Sequence, residues 1–478
     1  MPAPASRVAH ARKPLETGSL PYASLLVGSG GSVRFFAAVV WLCAAPLCAN
    51  PVAKIDAFVA GKIQAHLIPG LALVVIRDGE VLHRQGFGEL QPQTPIIIGS
   101  LSKSITATAV MQLVDAGKID LDQPMQTYLG ALRFRDLKAA TITVRQLLNQ
   151  TSGIPTDAPR AANQDASLAE HVAVLTAVQL VATPGEQHIY ASPNYQILGR
   201  IVELISGEDF GSYVQRAILT PLQMRQSTVN PMLAPQLATG HNLWWGFTGP
   251  SSYRFEPGRL PTASIIASAD DLGKFAVSQL GLGPQLLSDA SLELMHRGTL
   301  PANGFSYAMG WRAGTTAGVP SLWHGGALPS YRGAMVLLPD SRSAVIVLTN
   351  ISSLFADHTR EIAAGVVAIL AEKPLPAFGR PLRTTYMGIA LLALVLLAWQ
   401  LRGLMRAIRQ QGALAKRPVI IVMDFLIPIG VLVFLPRLAG VSYQGIWEAA
   451  PDLVVSSLLL MLLGMATGLA KWRRRIAM

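Results

Sequence analysis

Residues 99–110 read "GSLSKSITATAV", and the understanding of this stretch decides the fold. Three serines and a lysine crowd the opening of an otherwise good helix, where hydroxyls compete with the backbone for hydrogen bonds. One reading is structural: Ser100 or Ser102 caps the helix. The other is chemical. Ser100 and Lys103 are three apart and share one helical face, so the amine can take the hydroxyl proton.

The surrounding pattern mixes strands and helices. "LALVVIRDGEVLHRQGFGEL" (71–90) predicts two strands joined by an Asp-Gly turn. "ITATAVMQLVDAGKIDL" (105–121) predicts a helix stopped by Gly117, and "NYQILGRIVELISG" (194–207) another with a glycine stop. "GAMVLLPDSRSAVIVLTN" (333–350) returns to two antiparallel strands through a Pro-Asp turn, and "HTREIAAGVVAILAE" (358–372) closes with a helix. Strands at both ends with helices between predict an α+β domain in which early and late strands share one sheet.

Charge locates the ends. The net charge is +11, yet residues 51–380 hold 24 Lys+Arg against 24 Asp+Glu. Residues 381–478 hold 11 against 3, and residues 1–50 hold 4 against 1. The basic balance therefore does not indicate nucleic acid; it resembles membrane topology. Three 18-residue apolar runs, 384–401, 419–436 and 453–470, each approach the ~20 residues a bilayer span needs. Between the first two lie Arg402, Arg406, Arg409, Lys416 and Arg417 with no acid, and the chain ends "KWRRRIAM". By the positive-inside rule that loop and the C-terminus are cytoplasmic, and residues 50–380 lie outside. The segment 33–49, "VRFFAAVVWLCAAPLCAN" through to Asn50, resembles a secretory signal behind a 32-residue extension that suggests a mis-assigned start. The two cysteines, Cys43 and Cys48, fall inside it and cannot staple the main domain. The expected setting is a bacterial inner membrane, with the domain in the periplasm and the lipid bilayer as a partner through three spans.

Two further pieces raise the chemical reading. "PGEQHIYASPNYQILG" (184–199) places Tyr190 and Ser192 ahead of a helix, and "LWHGGALPSYRG" (322–333) carries His324, Gly325 and Gly326 into a strand. In this order the chain resembles the serine β-lactamase and penicillin-binding-protein superfamily, in its class C-like branch. The resemblance runs through "IPGLALVV", "GSLSKSITATAVMQLVDAGKIDLDQPM", "ITVRQLLNQTSGIP", "YASPNYQILGRIVELISG", "LTPLQM", "IIASADDLGKF", "YAMGW" and "HGG". It implies an antiparallel sheet flanked by helices with an all-helical lobe. It also implies that Ser100 is the nucleophile, Lys103 its base and Tyr190 a proton carrier. The backbone N–H groups of Ser100 and Ala327 would form the oxyanion hole, each such donor being worth ~3 kcal/mol. Ser192, His324, Gly325 and Gly326 would bind substrate.

Departures narrow the substrate. Ser192 stands where relatives often have asparagine, and His324 where many have lysine, which leaves a weaker, pH-dependent charge and disfavours efficient penicillin hydrolysis. Gln150 stands where relatives often have histidine. "YAS", "HGG" and three C-terminal spans together resemble the colibactin-maturation type of membrane-bound peptidase. That resemblance implies removal of an acylated D-amino-acid unit from a nonribosomal peptide-polyketide product, with a possible exporter as partner. Residues 327–330 contain no asparagine, so D-Asn specificity stays open. Within the superfamily the alternatives are a D-Ala-D-Ala carboxypeptidase acting on a peptidoglycan-like substrate, a weak β-lactamase, an esterase, or a non-catalytic penicillin-binding sensor. No cluster has metal-ligand spacing and no glycine loop cradles phosphate, so no cofactor is expected. His241, Trp244 and Trp245 either line the cleft or pack on the domain surface, and Asp270 and Asp271 read as a helix start.

Overall fold

In the computed structural model, Asp78 and Gly79 both take positive φ and join β1 (Gly70–Arg77) to β2 (Glu80–Gly88). The described residues are 50–409 and 450–476, except 235 and 252, together with 430, 434 and 446–448. The other edge of β1 is taken by β12 (Ser343–Thr349), antiparallel, with Leu71 opposite Thr349 and Arg77 opposite Ser343. Early and late strands thus share one sheet. Strands β3 (Ile96–Ile97) and β6 (Ile266–Ala267) form a short pair, and β4 (His241–Trp244) and β5 (Phe247–Pro250) a hairpin. The remaining strands are β7 (Pro301–Ala302), β8 (Phe305–Ala308), β9 (Trp311–Thr316), β10 (Val319–Ala327) and β11 (Arg332–Leu338). They complete an eight-stranded antiparallel sheet in the order β2-β1-β12-β11-β10-β9-β8-β7.

Side-chain alternation divides the sheet between two cores. Leu71, Leu73, Val75, Val345 and Val347 face α1 (Pro51–His66) and α9 (His358–Leu370). Ala72, Val74, Ile76, Ile346 and Leu348 face the larger core, which holds α2 (Ser102–Asp115) and α5 (Ser192–Ser206). Each buried aliphatic chain contributes about 1.5–3 kcal/mol. The central strands are therefore apolar on both faces. Helices α3 (Val144–Leu148), α4 (Leu168–Leu175) and α6 (Phe210–Val214) lie with α2 and α5 between β3 and β4, forming the helical insertion. Helix α7 (Ala269–Gln279) is capped by Ser268, with Asp270 and Asp271 in its first turn, and α8 (Asp289–His296) follows.

Beyond the domain, α10 (Leu382–Arg409) and α11 (Pro451–Ile476) contain apolar stretches of mean hydropathy 1.8 and 2.2. Among the described residues these are the two helices long and apolar enough to cross a membrane, where the sequence predicts three. The predicted spans 384–401 and 453–470 fall within them. The span at 419–436 lies outside the described residues save 430 and 434, as do the extension and the signal-like segment. The two helices run parallel: Tyr386 and Asp452 are neighbours near their starts, and Gly403 faces Thr467 toward their ends.

Close backbone approach fixes the end of β10 against the turn 99–101. A Cβ on Gly326 would stand 2.0 Å from the Ile98 carbonyl oxygen, whereas one on Gly325 would find its nearest neighbour at 3.7 Å. Gly326→Ala is expected to cost about 1–3 kcal/mol of unfolding free energy. Gly325→Ala is expected to stay within about 0.5 kcal/mol of the parent. Urea denaturation of the two variants checks the contrast.

Candidate active site

Ser100 sits on a single 3-10 turn, Gly99–Leu101, that runs directly into α2. Gly99 has φ +57, and a Cβ there would stand 2.8 Å from the Ala327 amide nitrogen, so glycine is required on both counts. The same approach that excludes a side chain at 99 and 326 brings the Ala327 amide, at the end of β10, beside the backbone of the serine turn.

One helical turn on, Lys103 is fully buried. Its Nζ lies 3.0 Å from Ser100 Oγ, 3.4 Å from Ser192 Oγ and 2.9 Å from the Thr262 carbonyl oxygen. Burial first, then the Arg259 and Arg312 guanidinium groups, push the amine well below its ordinary pKa. A neutral amine has two N–H donors and one lone pair. Thr262 O and Ser192 Oγ can accept the donors, which leaves the lone pair for the Ser100 hydroxyl.

Tyr190 closes the other side. Lys103 Nζ is 5.2 Å from its ring centroid, and its hydroxyl hydrogen-bonds to Ser100. Burial raises the phenol pKa, partly offset by Arg312 and by that hydrogen bond, so Tyr190 keeps its proton at neutral pH. The pair is thus an amine whose charged form is disfavoured by burial and a protonated phenol around one hydroxyl. Gln150 positions this segment: its Oε1 accepts from the Ala191 N–H (2.9 Å) and from Asn194 Nδ2 (2.6 Å), while Ser152 Oγ donates to Asn194 Oδ1.

His324 is buried on β10, its ring 6.1 Å from that of Tyr190. Its Nδ1 lies 2.8 Å from the Gly325 carbonyl, which can only accept, so Nδ1 carries the hydrogen. Nε2 then accepts from the Tyr307 hydroxyl at 3.1 Å. Both ring nitrogens are occupied within the protein. Burial, Arg312 and Lys103 hold the imidazole well below its usual pKa. It is neutral, and the pH-dependent charge expected for it from sequence is absent near neutral pH.

The positive charge comes from Arg312 on β9. Its guanidinium carbon lies 5.3 Å from the Tyr190 ring, 5.3 Å from Phe305 and 4.8 Å from Trp323. Among the described residues no carboxylate lies within ion-pair distance of it. The sequence contained a signal, a lone arginine directly after "YAMGW", but nothing in its spacing tied it to Ser100. Thr262 was equally hidden, because it contributes only a carbonyl. The structure brings Ser100, Lys103, Tyr190 and Ser192 around one amine, with Ala327 beside the serine turn. His241 and Trp245 lie elsewhere: His241 bonds to Asn350 and Trp245 to α11. No group of three or more His, Cys, Asp or Glu able to hold a metal occurs among the described residues.

Residues 55–368 match the family described as Beta-lactamase. The chain is 32% identical over 361 residues to penicillin-binding protein 4 of Amycolatopsis lactamdurans, covering 67% of this chain and 93% of that one. It is 25% identical over 318 residues to protein flp of Staphylococcus aureus (strain MW2), covering 63% of each. The octameric penicillin-binding protein homologue from Pyrococcus abyssi is similar with a TM-score of 0.61 and 27% identity, covering 67% of this chain and 78% of that one. A class C β-lactamase shares the fold at a TM-score of 0.58 and 18% identity, covering 66% and 96%. The chain belongs to the β-lactamase and penicillin-binding-protein family, whose members are generally serine hydrolases.

Proposed function

We propose that this protein is a membrane-anchored, extracytoplasmic serine peptidase or amidohydrolase that works through an acyl-enzyme. The observation that carries the reading is the fully buried Lys103 amine, its pKa pushed down by burial and by neighbouring guanidinium groups, 3.0 Å from Ser100 Oγ. Ser100 Oγ attacks the substrate carbonyl carbon and its proton passes to Lys103 Nζ. The carbonyl oxygen becomes an oxyanion held by the Ser100 and Ala327 N–H groups. Tyr190 gives its proton to the leaving nitrogen as the C–N bond breaks, and regains one from Lys103. Water then attacks the ester carbon, and its proton returns through the same groups to Ser100.

The substrate we infer is a small acylated peptide whose D-amino-acid unit is removed after export. "YAS", "HGG" and the apolar C-terminal helices support this reading. Arg312 favours a second one: a cation without a carboxylate partner among the described residues, beside the Tyr190 ring, suits a free C-terminal carboxylate. That would be a carboxypeptidase acting on a peptidoglycan-like substrate. The two helices support anchoring, since their outward side chains are apolar, Leu391, Leu394 and Leu462 among them.

With an N-acyl-D-asparaginyl amide and an N-acyl-D-Ala-D-Ala peptide offered side by side, release of acyl-D-asparagine supports the first reading and release of D-alanine the second. Ser100→Ala should lower either activity by on the order of 10⁴-fold or more and abolish the covalent adduct with a fluorophosphonate. Retained turnover removes Ser100 from the mechanism. The pH profile tests Lys103. Activity should fall as pH drops through the depressed pKa of the amine, because the protonated amine cannot accept the serine proton. Arg312→Gln removes a cation that depresses that pKa, so the ascending limb of kcat/KM should move to higher pH. Arg312→Lys should hold it near its original place, and unmoved limbs in both variants would assign the titration to another group.

A further inference from the structure

The β4–β5 hairpin turns through Trp245 (φ +48) and Gly246 (φ +90), the two left-handed residues of a tight hairpin turn. The first of these positions ordinarily carries asparagine or aspartate; a bulky tryptophan there is uncommon and strained. Strain of this kind persists where surrounding contacts over-determine it. Here they are visible. The Trp245 backbone N–H donates to Asp452 Oδ2 at 3.0 Å and its indole N–H donates to Ser456 Oγ at 3.0 Å. Asp452 and Ser456 are four apart at the start of α11 and share one face.

At its other end the hairpin is rooted in the catalytic domain. His241 N–H donates to the Asn350 carbonyl at 2.8 Å, beyond β12. A Cβ on Gly240 would stand 2.5 Å from the Ser330 side chain, and the Tyr331 hydroxyl donates to Ala238 O. Ser330 and Tyr331 belong to the turn that follows Ala327. The hairpin is thus a short strut between that turn and the first turns of α11.

The strut's tip is apolar and open. Phe247 is 77% exposed and Trp245 37% exposed. Beside them lie the exposed Leu354 and Phe355, and Phe355 packs edge-on against Tyr386 near the start of α10, centroids 5.6 Å apart. Gly246 also abuts Tyr386. The patch is therefore continuous with the starting ends of both apolar helices, next to the exposed Arg380 and Arg383. Aromatic side chains flanked by arginine at the ends of apolar helices suit the headgroup layer of a bilayer.

We propose that the tip of this hairpin, with Leu354 and Phe355, is a lipid-binding surface seated in the headgroup layer. It holds the catalytic domain at a fixed height over the bilayer. The inference rests on the membrane-anchored reading given above and adds a second, non-helical contact to it.

The test uses the full-length chain in phosphatidylethanolamine/phosphatidylglycerol vesicles, with Cys43→Ser and Cys48→Ser removing the native thiols. An environment-sensitive fluorophore is placed in turn on Phe247→Cys, Leu394→Cys of α10, and Leu137→Cys, an exposed site (83%) on the catalytic domain. Each is exposed to lipids carrying a nitroxide on the headgroup or at mid-chain. The label at 247 should lose about half its emission to the headgroup quencher. The label at 394 should answer to the mid-chain quencher, and the label at 137 to neither. If 247 behaves like 137 while 394 is quenched at mid-chain, the hairpin proposal is overturned and the anchor stands. If 394 is unquenched, the anchor itself fails and this proposal with it.

Discussion

The buried amine of Lys103 is the constraint on which the site depends. Taking a lone ammonium out of water costs several kcal/mol even after relaxation, and Arg259 and Arg312 add repulsion. A hydrogen bond to a carbonyl or hydroxyl, worth about 0.5–1.5 kcal/mol net, does not offset that. The balance therefore shifts toward the neutral amine. Once neutral it needs two acceptors and one donor, and the fold supplies them from the turn 99–101 ahead of α2, from the start of α5 and from the loop before β6. Three remote segments are thereby tied to one nitrogen.

Two glycines set the remaining geometry. A glycine in regular structure costs about 0.5–1 kcal/mol against alanine. An oxyanion donor is worth about 3 kcal/mol in the transition state. If the Ser100 and Ala327 N–H groups serve as the proposed oxyanion donors, the close contact of residue 99 with the end of β10 is favourable even though it weakens the chain locally. It also explains why "GSLSK" and "HGG" occur together: each glycine clears space for the backbone of the other segment.

Much of the fold was legible because its signals are local. The Asp78 and Gly79 turn, the glycine stops at 117 and 207 and the alternation in β1 and β12 each depend on a few adjacent residues. The serine and lysine were legible as a pair three apart, and the tyrosine through the resemblance to the superfamily. What was hidden depends on three-dimensional neighbours. The charge state of His324 is set by burial and by cations on other strands. Thr262 acts through a carbonyl that any residue carries. Trp245 read equally well as a cleft or a surface aromatic, since its partners lie more than two hundred residues later on α11. The segment at 419–436 reads as a span from composition alone.

The neutrality of His324 shifts where an anionic substrate group could bind. In relatives with lysine at the position of His324, the cation stands at that position. Here the corresponding ring is uncharged and internally bonded, and the cation is Arg312 on the adjacent strand β9. A guanidinium stays charged at every relevant pH, so the attraction would not titrate as an imidazole's does. The same cation lowers the Lys103 pKa. A carboxylate bound at Arg312 would cancel that effect and make the amine more basic in the complex than in the free enzyme. The base would then gain proton affinity when a serine proton is ready to leave, while in the empty site the nearby positive charge helps keep it unprotonated.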